Sequence, residues 1–282
     1  MSSVKISSFH IREAIGTNAV PVIVSIPHAG IYVPEAMRDR FASQDIRRLP
    51  MTDWHLHHLL DFLPAMGITT IYATYSRFVA DVNRPPILHG TGSTASYVPF
   101  TTSQGEPIYS DLPDAADLNA RRDLVYVPYH ARLMELIQSR VTRFGGAVLL
   151  DMHSLDPKAH SATRLPPADV YLGDGLGETN SGWLTDVIER GFRGAGLDVR
   201  RNQPFSGGYI ARHYGKLPRV SALHVELRQG LYLDEREPDR LPTHAGFNAF
   251  KSTLSDVFTG LVHQIQSRGI AQLSRIPIRP RA

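Results

Sequence analysis

Short apolar runs rich in β-branched residues recur along the chain, separated by longer segments with helical spacing. The run AVPVIVSI at 19–26 is closed by Pro27 and is typical of a buried parallel strand. Comparable runs are ITTIYATY (68–75), AVLLDMHS (147–154), ADVYLGD (168–174) and RVSALHVEL (219–227). These five runs predict the strands of one sheet.

Apolar residues three and four positions apart predict helices between these strands. One helix is expected to begin at Thr52 or Asp53, because either side chain can cap a first turn. A long helix is expected over Asp123–Arg143, where Gly145 ends the pattern. Two more are expected over residues 182–192 and 245–267.

Strands that alternate with helices indicate an α/β fold with a mostly parallel central sheet and helices on both faces. The 282 residues suit a single enlarged α/β domain, and no internal repeat or linker divides them. Residues 81–120 are rich in Pro, Gly, Ser and Thr. We therefore expect an irregular excursion there that lines a site.

Composition narrows the chemistry. The chain has no cysteine, which excludes disulfides, thiol nucleophiles and cysteine zinc sites, so any metal must bind to His, Asp or Glu. The net charge is +3, and the basic tail SRIPIRPRA resembles a solvated end, so no nucleic-acid partner is expected. The absence of a signal sequence and of a long apolar run predicts a cytoplasmic protein without a membrane partner.

Polar residues fall where the predicted strands end. His28 follows the first strand, Asp151 and His153 end the middle one, and Glu226 ends the last. The carboxyl ends of parallel strands border one crevice, in which ligands bind. His28 and His153 could bind a metal with Asp53 as third ligand, which leaves a position for water, and Asp151 would then orient a histidine.

Other interpretations of these histidines stay open. A histidine after a strand is often a turn or capping residue, and the chain has 13 histidines. His55, His57 and His58 form a second cluster, and Asp53 with His57 has the i, i+4 spacing that can bind a metal on one helix face. This cluster is an alternative source of the third ligand.

The segment YSRFVADVNRPP concentrates charge at a strand exit. Its Arg77 and Arg84, with Asn83 beside them, suit the recognition of carboxylates and imply an anionic substrate. A structural ion pair between Arg77 and Asp81 explains the same spacing equally well.

Two glycine-containing segments have weaker signals. FSGGYIARHYG combines Gly207 and Gly208, which allow close backbone approach, with Arg212, although an ordinary hairpin turn is an alternative. GDGLGE at 173–178 lacks the full GxGxxG pattern, so no dinucleotide site is expected there.

Seven motifs between Val20 and Tyr232 together resemble the N-formylglutamate amidohydrolase family of histidine degradation. They are IPHAG, TDWHLHHLLDF, YSRFVADVNRP, VPYH, LLDMHS, GGYIARHYG and HVELRQGLY. The resemblance implies a zinc-dependent exopeptidase-like (phosphorylase/hydrolase-like) fold. It also implies hydrolysis of the N-acyl amide of an acidic amino acid, most directly N-formyl-L-glutamate to L-glutamate and formate.

The resemblance assigns roles to residues. One zinc ion, or another divalent metal, would bind to His28, Asp53 and His153, with Glu226 as catalytic carboxylate. Arg77 would polarise the scissile carbonyl, as in zinc carboxypeptidases and aspartoacylases. Asn83, Arg84 and, from the residues alone, Arg212 would bind the substrate carboxylates. Residues 90–109 and His224 have no family expectation. Alternatives are a deacylase or peptidase for another N-acyl amino acid, such as formiminoglutamate, and a non-catalytic binding protein for acidic metabolites.

Overall fold

One mixed sheet forms the centre of the protein. The structure, a computed structural model, describes residues 6–16, 18–86, 96–155, 167–240 and 246–273. Its strands are β1 Phe9–Arg12, β2 Val22–Ile26, β3 Thr69–Ala73, β4 Ala147–Leu155, β5 Val170–Gly173, β6 Val199–Arg201 and β7 Val220–Arg228. They are arranged in the order β1-β3-β2-β4-β7-β5-β6.

The middle of the sheet is parallel, as expected. Strands β3, β2, β4 and β7 are parallel neighbours, and β5 pairs in parallel with β6. Antiparallel pairs join β1 to β3 and β5 to β7, so the sheet as a whole is mixed. The sequence analysis missed β1 and β6, because runs of four and three partly exposed residues have no readable period.

Helices cover both faces of this sheet. They are α1 Glu35–Arg38, α2 Gln44–Arg47, α3 Leu56–Leu59, α4 Ala115–Arg121, α5 Val127–Phe144, α6 Trp183–Gly194, α7 Tyr209–Tyr214, α8 Gly246–Arg268 and α9 Ile270–Leu273. Because side chains alternate along a strand, Val148 and Leu150 of β4 pack with α6 and α8, whereas Ala147 and Leu149 pack with α5 and α7. The expected α/β fold with helices on both faces is confirmed.

The helix start expected at Thr52 or Asp53 is wrong. His55 has a left-handed backbone with φ of 58°, so α3 begins only at Leu56 and has four residues. A 3₁₀ turn at Leu63–Met66 follows it. Asp53 therefore caps no helix, and its carboxylate is available for other contacts.

The other helices agree better with their predictions. The long helix begins earlier than expected, because α4 continues through a π-helical turn at Arg122–Tyr126 into α5. It ends at Gly145, whose φ of 79° suits a helix terminus. The expected helix of 245–267 matches α8, whereas residue 245 and the basic tail lie outside the described residues.

Two further expectations have structural outcomes. Residues 96–114 contain only isolated bridges, whereas α4 begins at Ala115, inside the predicted excursion of 81–120; residues 87–95 lie outside the description. The hairpin alternative for FSGGYIARHYG is wrong, because the segment leads into α7. No helix within the described ranges combines the length and apolar character needed to cross a bilayer.

Candidate active site

A cavity of about 440 Å³ lies at the carboxyl ends of the central strands. Seven of the eight predicted site residues line it: His28, Asp53, Arg77, Asn83, Arg84, His153 and Glu226. Arg212 is not among its lining residues. Side chains from segments more than a hundred residues apart in the sequence, such as His28 and His153, thus meet beside one cavity.

Three atoms of the predicted ligands converge beside this cavity. His153 Nδ1 lies 3.1 Å from His28 Nδ1 and 3.2 Å from Asp53 Oδ2, and His28 Nδ1 lies 3.8 Å from the same oxygen. Ligands of a tetrahedral ion with bonds of 2.0–2.1 Å are separated by about 3.3 Å. Asp53 Oδ2 is buried and receives no hydrogen bond. The donor set therefore fits a divalent cation.

A carboxylate lies beside the Nε2 atom of each histidine. His28 Nε2 lies 2.7 Å from Asp81 Oδ1, and His153 Nε2 lies 3.1 Å from Asp151 Oδ1. When His28 Nε2 donates to Asp81, its Nδ1 lone pair points towards Asp53, which is the arrangement that orients metal-binding imidazoles. His153 Nε2 also lies 2.8 Å from Asn83 Nδ2, and Asp151 Oδ1 has no hydrogen-bond partner among the described residues. Asp81 therefore orients His28, whereas Asp151 lies near His153 without a hydrogen bond to it.

Burial and charge set the protonation of these groups. Burial, together with the charge of Arg77, lowers the pKa of His28 and favours the neutral imidazole that a metal requires. Burial also lowers the pKa of His153, but the Asp151 and Asp53 carboxylates outweigh it and raise that pKa well above its ordinary value. A cation bound here would replace the proton that these carboxylates favour.

Glu226 presents one oxygen without a partner. His224 Nε2 lies 3.3 Å from Glu226 Oε1, whereas Oε2 is buried and receives no hydrogen bond. His224 Nδ1 lies 3.3 Å from Asp151 Oδ2. Burial lowers the pKa of His224, but hydrogen bonds to both carboxylates outweigh it and raise the pKa, so His224 can donate to both. Arg228 pairs with Asp169 at 2.6 Å and not with Glu226.

Two arginines share one fully buried carboxylate. Arg77 donates from Nε and Nη2 to Asp81 Oδ2 at 3.1 and 2.7 Å. Arg84 Nε donates to the same oxygen at 3.1 Å. The structural ion pair proposed as an alternative therefore exists. Both arginines also line the cavity, so this wall carries cationic groups that suit an anion.

Known proteins resemble this chain over most of its length. Residues 20–233 match the model of the N-formylglutamate amidohydrolase family. The chain is 32% identical over 252 residues to the N-formylglutamate deformylase of Pseudomonas putida, which covers 83% of this chain and 87% of that protein. It belongs to the N-formylglutamate amidohydrolase family. The N-formylglutamate deformylase of Pseudomonas aeruginosa (strain PAO1) is 35% identical over 230 residues, or 78% of this chain and 84% of that protein.

A solved structure confirms the fold of this family member. The N-formylglutamate amidohydrolase from Ralstonia eutropha JMP134 superposes with a TM-score of 0.83 at 26% identity, over 93% of this chain and 99% of that chain. A gene product of Agrobacterium tumefaciens, 23% identical, superposes with a TM-score of 0.69 over 91% of this chain and 97% of that chain, which supports the fold alone.

Two residues expected to contact substrate are used inside the protein. Asn83 Nδ2 donates to Asp151 Oδ2 at 3.0 Å, and its Oδ1 accepts from Ile210 N at 2.7 Å. Arg212 donates to Gly207 O at 3.0 Å and to Ser206 Oγ at 2.6 Å. Both side chains therefore stabilise the cavity wall. Asn83 is itself a lining residue, whereas Arg212 supports the lining residues Ser206 and Gly207.

The alternative histidine cluster lies apart from the ligand atoms. The His57 ring stacks on Tyr72 at 5.0 Å and lies 4.1 Å from the His58 ring. Among the described residues, the groups spaced to hold an ion are His28, Asp53 and His153, and Asp151, His153 and His224. Neither group includes His55, His57 or His58, so the structure does not support them as a source of the third ligand.

Sequence reasoning missed His224 and the orienting role of Asp81. His224 and Glu226 are two residues apart on β7 and so share a face, which is a signal that was available. Asp81 was considered only as a partner of Arg77. Its contact with His28 spans 53 residues and has no local pattern.

Proposed function

We propose that this chain hydrolyses N-formyl-L-glutamate to L-glutamate and formate with one zinc ion. The observation that supports it best is the convergence of three ligand atoms, from His28, Asp53 and His153, around an unpartnered carboxylate oxygen. The named activity of the Pseudomonas relatives supports the choice of substrate. This activity is expected in the cytoplasm, in histidine degradation.

His28, Asp53 and His153 would hold the metal, which supplies a water of lowered pKa and a Lewis acid for the formyl carbonyl. Glu226 lines the cavity and its Oε2 has no hydrogen-bond partner in the described part of the chain, which supports this carboxylate as the group that accepts a proton from the attacking water. The same carboxyl then returns the proton to the leaving nitrogen, so that L-glutamate departs as the amine.

The two arginines would recognise the anionic substrate. Arg77 would stabilise the developing oxyanion, and Arg84 would bind a substrate carboxylate. Their fixed orientation through Asp81 supports these roles, because a guanidinium held in place loses little freedom when an anion binds. Asn83 and Arg212 would serve the same function indirectly, by shaping the wall that the substrate contacts.

The test combines metal analysis with a substrate panel. Purified protein should contain one zinc ion per chain and release formate from N-formyl-L-glutamate faster than acyl groups from N-acetyl amino acids or formiminoglutamate. His28→Ala and His153→Ala should each lose tight zinc binding and activity while remaining folded, and His263→Ala on the exposed side of α8 serves as control. Full zinc content in both site variants would show that the metal binds elsewhere in the protein. Binding of N-formylglutamate without turnover by zinc-loaded protein would favour the non-catalytic binding protein.

A further inference from the structure

A buried amide connects the two segments that carry Asp53 and His153. Gln229 lies in a 3₁₀ turn directly after β7 and is 3% exposed. Its Nε2 donates to Thr52 O at 3.0 Å and to Ser154 Oγ at 3.1 Å. Thr52 precedes Asp53 and Ser154 follows His153, so one side chain holds both segments.

The connection continues to the ligand itself. Asp53 Oδ1 accepts from Ser154 N at 3.1 Å and from Ser154 Oγ at 3.3 Å. These two donors fix the carboxylate, so that the other oxygen, Oδ2, is directed at the histidine Nδ1 atoms. Gln229 sets the orientation of the Ser154 hydroxyl. Because this hydroxyl accepts a hydrogen bond from the Gln229 amide, its own hydrogen is left to donate to Asp53.

We infer that Gln229 is a positioning residue for the metal, acting through Ser154 on Asp53. This inference rests on the proposed function, since it concerns the same metal site. Groups that orient metal ligands typically change metal affinity by about 10–100-fold when they are removed. Gln229 belongs to the motif HVELRQGLY, in which the proposed mechanism uses only Glu226.

The experiment measures zinc affinity, by competition with a chromophoric chelator, in the full-length protein. Gln229→Met keeps the side-chain length but removes the donors, and should weaken zinc binding by about 10–100-fold. Ser154→Ala should weaken it by a comparable factor, because it removes the hydroxyl through which Gln229 acts, while the backbone donor to Asp53 remains in both variants. In the double variant the fold-loss of zinc affinity should be smaller than the product of the two single fold-losses, because both residues act on Asp53 through the same series of hydrogen bonds.

Asn180→Leu is the matched control. Asn180 is also a buried amide, 2% exposed, that donates to a backbone carbonyl and a hydroxyl, on Ala222 and Thr185, away from the cavity. It should lower the melting temperature of the metal-free protein without changing zinc affinity.

The outcomes separate this inference from the proposed function. Wild-type protein without tight zinc binding would overturn both. Wild-type zinc affinity in folded Gln229→Met and Ser154→Ala would overturn the positioning role alone. If Gln229→Met does not fold, the Ser154→Ala affinity decides.

Discussion

The two oxygens of Glu226 lie in different surroundings, which makes a single substitution informative. Glu226→Gln keeps the shape and the contact of one oxygen with His224 but removes the carboxylate oxygen that has no hydrogen-bond partner within the described residues. We expect kcat to fall by about 10²–10⁴-fold, with KM and zinc content nearly unchanged. Steady-state kinetics with metal analysis measure this. A lower melting temperature with nearly normal kcat would instead indicate a structural carboxylate.

Arg84 tests recognition of the substrate anion. Arg84→Lys keeps the charge but not the planar fork, so we expect KM for N-formyl-L-glutamate to rise by about 10–100-fold, with kcat changed much less. Arg132→Lys, on the partly exposed surface of α5 beside Glu135, is the control and should have wild-type kinetics. Unchanged KM in Arg84→Lys would remove this residue from carboxylate recognition.

At the scale of elements, the start of α5 holds the loop that carries Asn83 and Arg84. Tyr126 donates to Arg84 O at 2.8 Å, and His130, one turn later, lies 2.9 Å from Val82 O through Nε2. The π-helical turn ends at Tyr126, and such turns are frequent at functional sites. His130 is the last residue of the motif VPYH, so its contact with Val82 O gives this motif a role in holding the loop.

Tyr126→Phe removes only the hydroxyl that donates to Arg84 O. We expect KM to rise by about 3–10-fold, because one hydrogen bond of about 1 kcal/mol no longer holds the loop. Zinc affinity should stay the same. Tyr97→Phe removes a comparable bond, from Tyr97 to Leu118 O at 2.8 Å, and should lower stability without raising KM. Equal KM in the two variants would show that the hydrogen bond from Tyr126 to Arg84 O is only structural.

The elements that sequence reasoning predicted well are those with a strong period and clear ends. The five predicted strands are present, and His28, His153 and Glu226 lie together near the carboxyl ends of β2, β4 and β7. The helix start predicted at Thr52 or Asp53 was wrong, because the left-handed backbone of His55 interrupts an otherwise helical spacing. Contacts such as Gln229 with Ser154, or His28 with Asp81, join segments far apart in the chain and cannot be derived from local spacing.

At the scale of the whole molecule, the histidine-rich region beside α3 links stability to pH. Burial, with nearby His58, Arg12, His55 and His10, lowers the pKa of His57 to about 3. Between about pH 6.5 and pH 3 the unfolded chain therefore binds a proton at His57 that the folded chain does not. This contribution to stability is complete above pH 6.5 and is lost as the pH falls.

His57→Gln should reduce that dependence. Between pH 7 and pH 5 the free energy of unfolding of the wild type should fall by about 1 kcal/mol more than that of the variant, a value reduced for the partial exposure of the ring. Urea unfolding at both pH values measures the difference. The exposed His263, changed to Gln, should leave the wild-type dependence intact. The same pH dependence in His57→Gln and in wild type would contradict the prediction.

Asp81 has a consequence for how the site responds to its ligands. One buried carboxylate orients His28 and is also the counter-ion of Arg77 and Arg84. If an anion binds the arginines and redistributes the hydrogen bonds of Asp81, the contact of Asp81 with His28 also changes. The reverse holds if a cation binds at His28. Thermodynamic reciprocity then requires each ligand to change the affinity of the other by the same factor. If the proposed cation and anion both bind, their affinities should be coupled through Asp81.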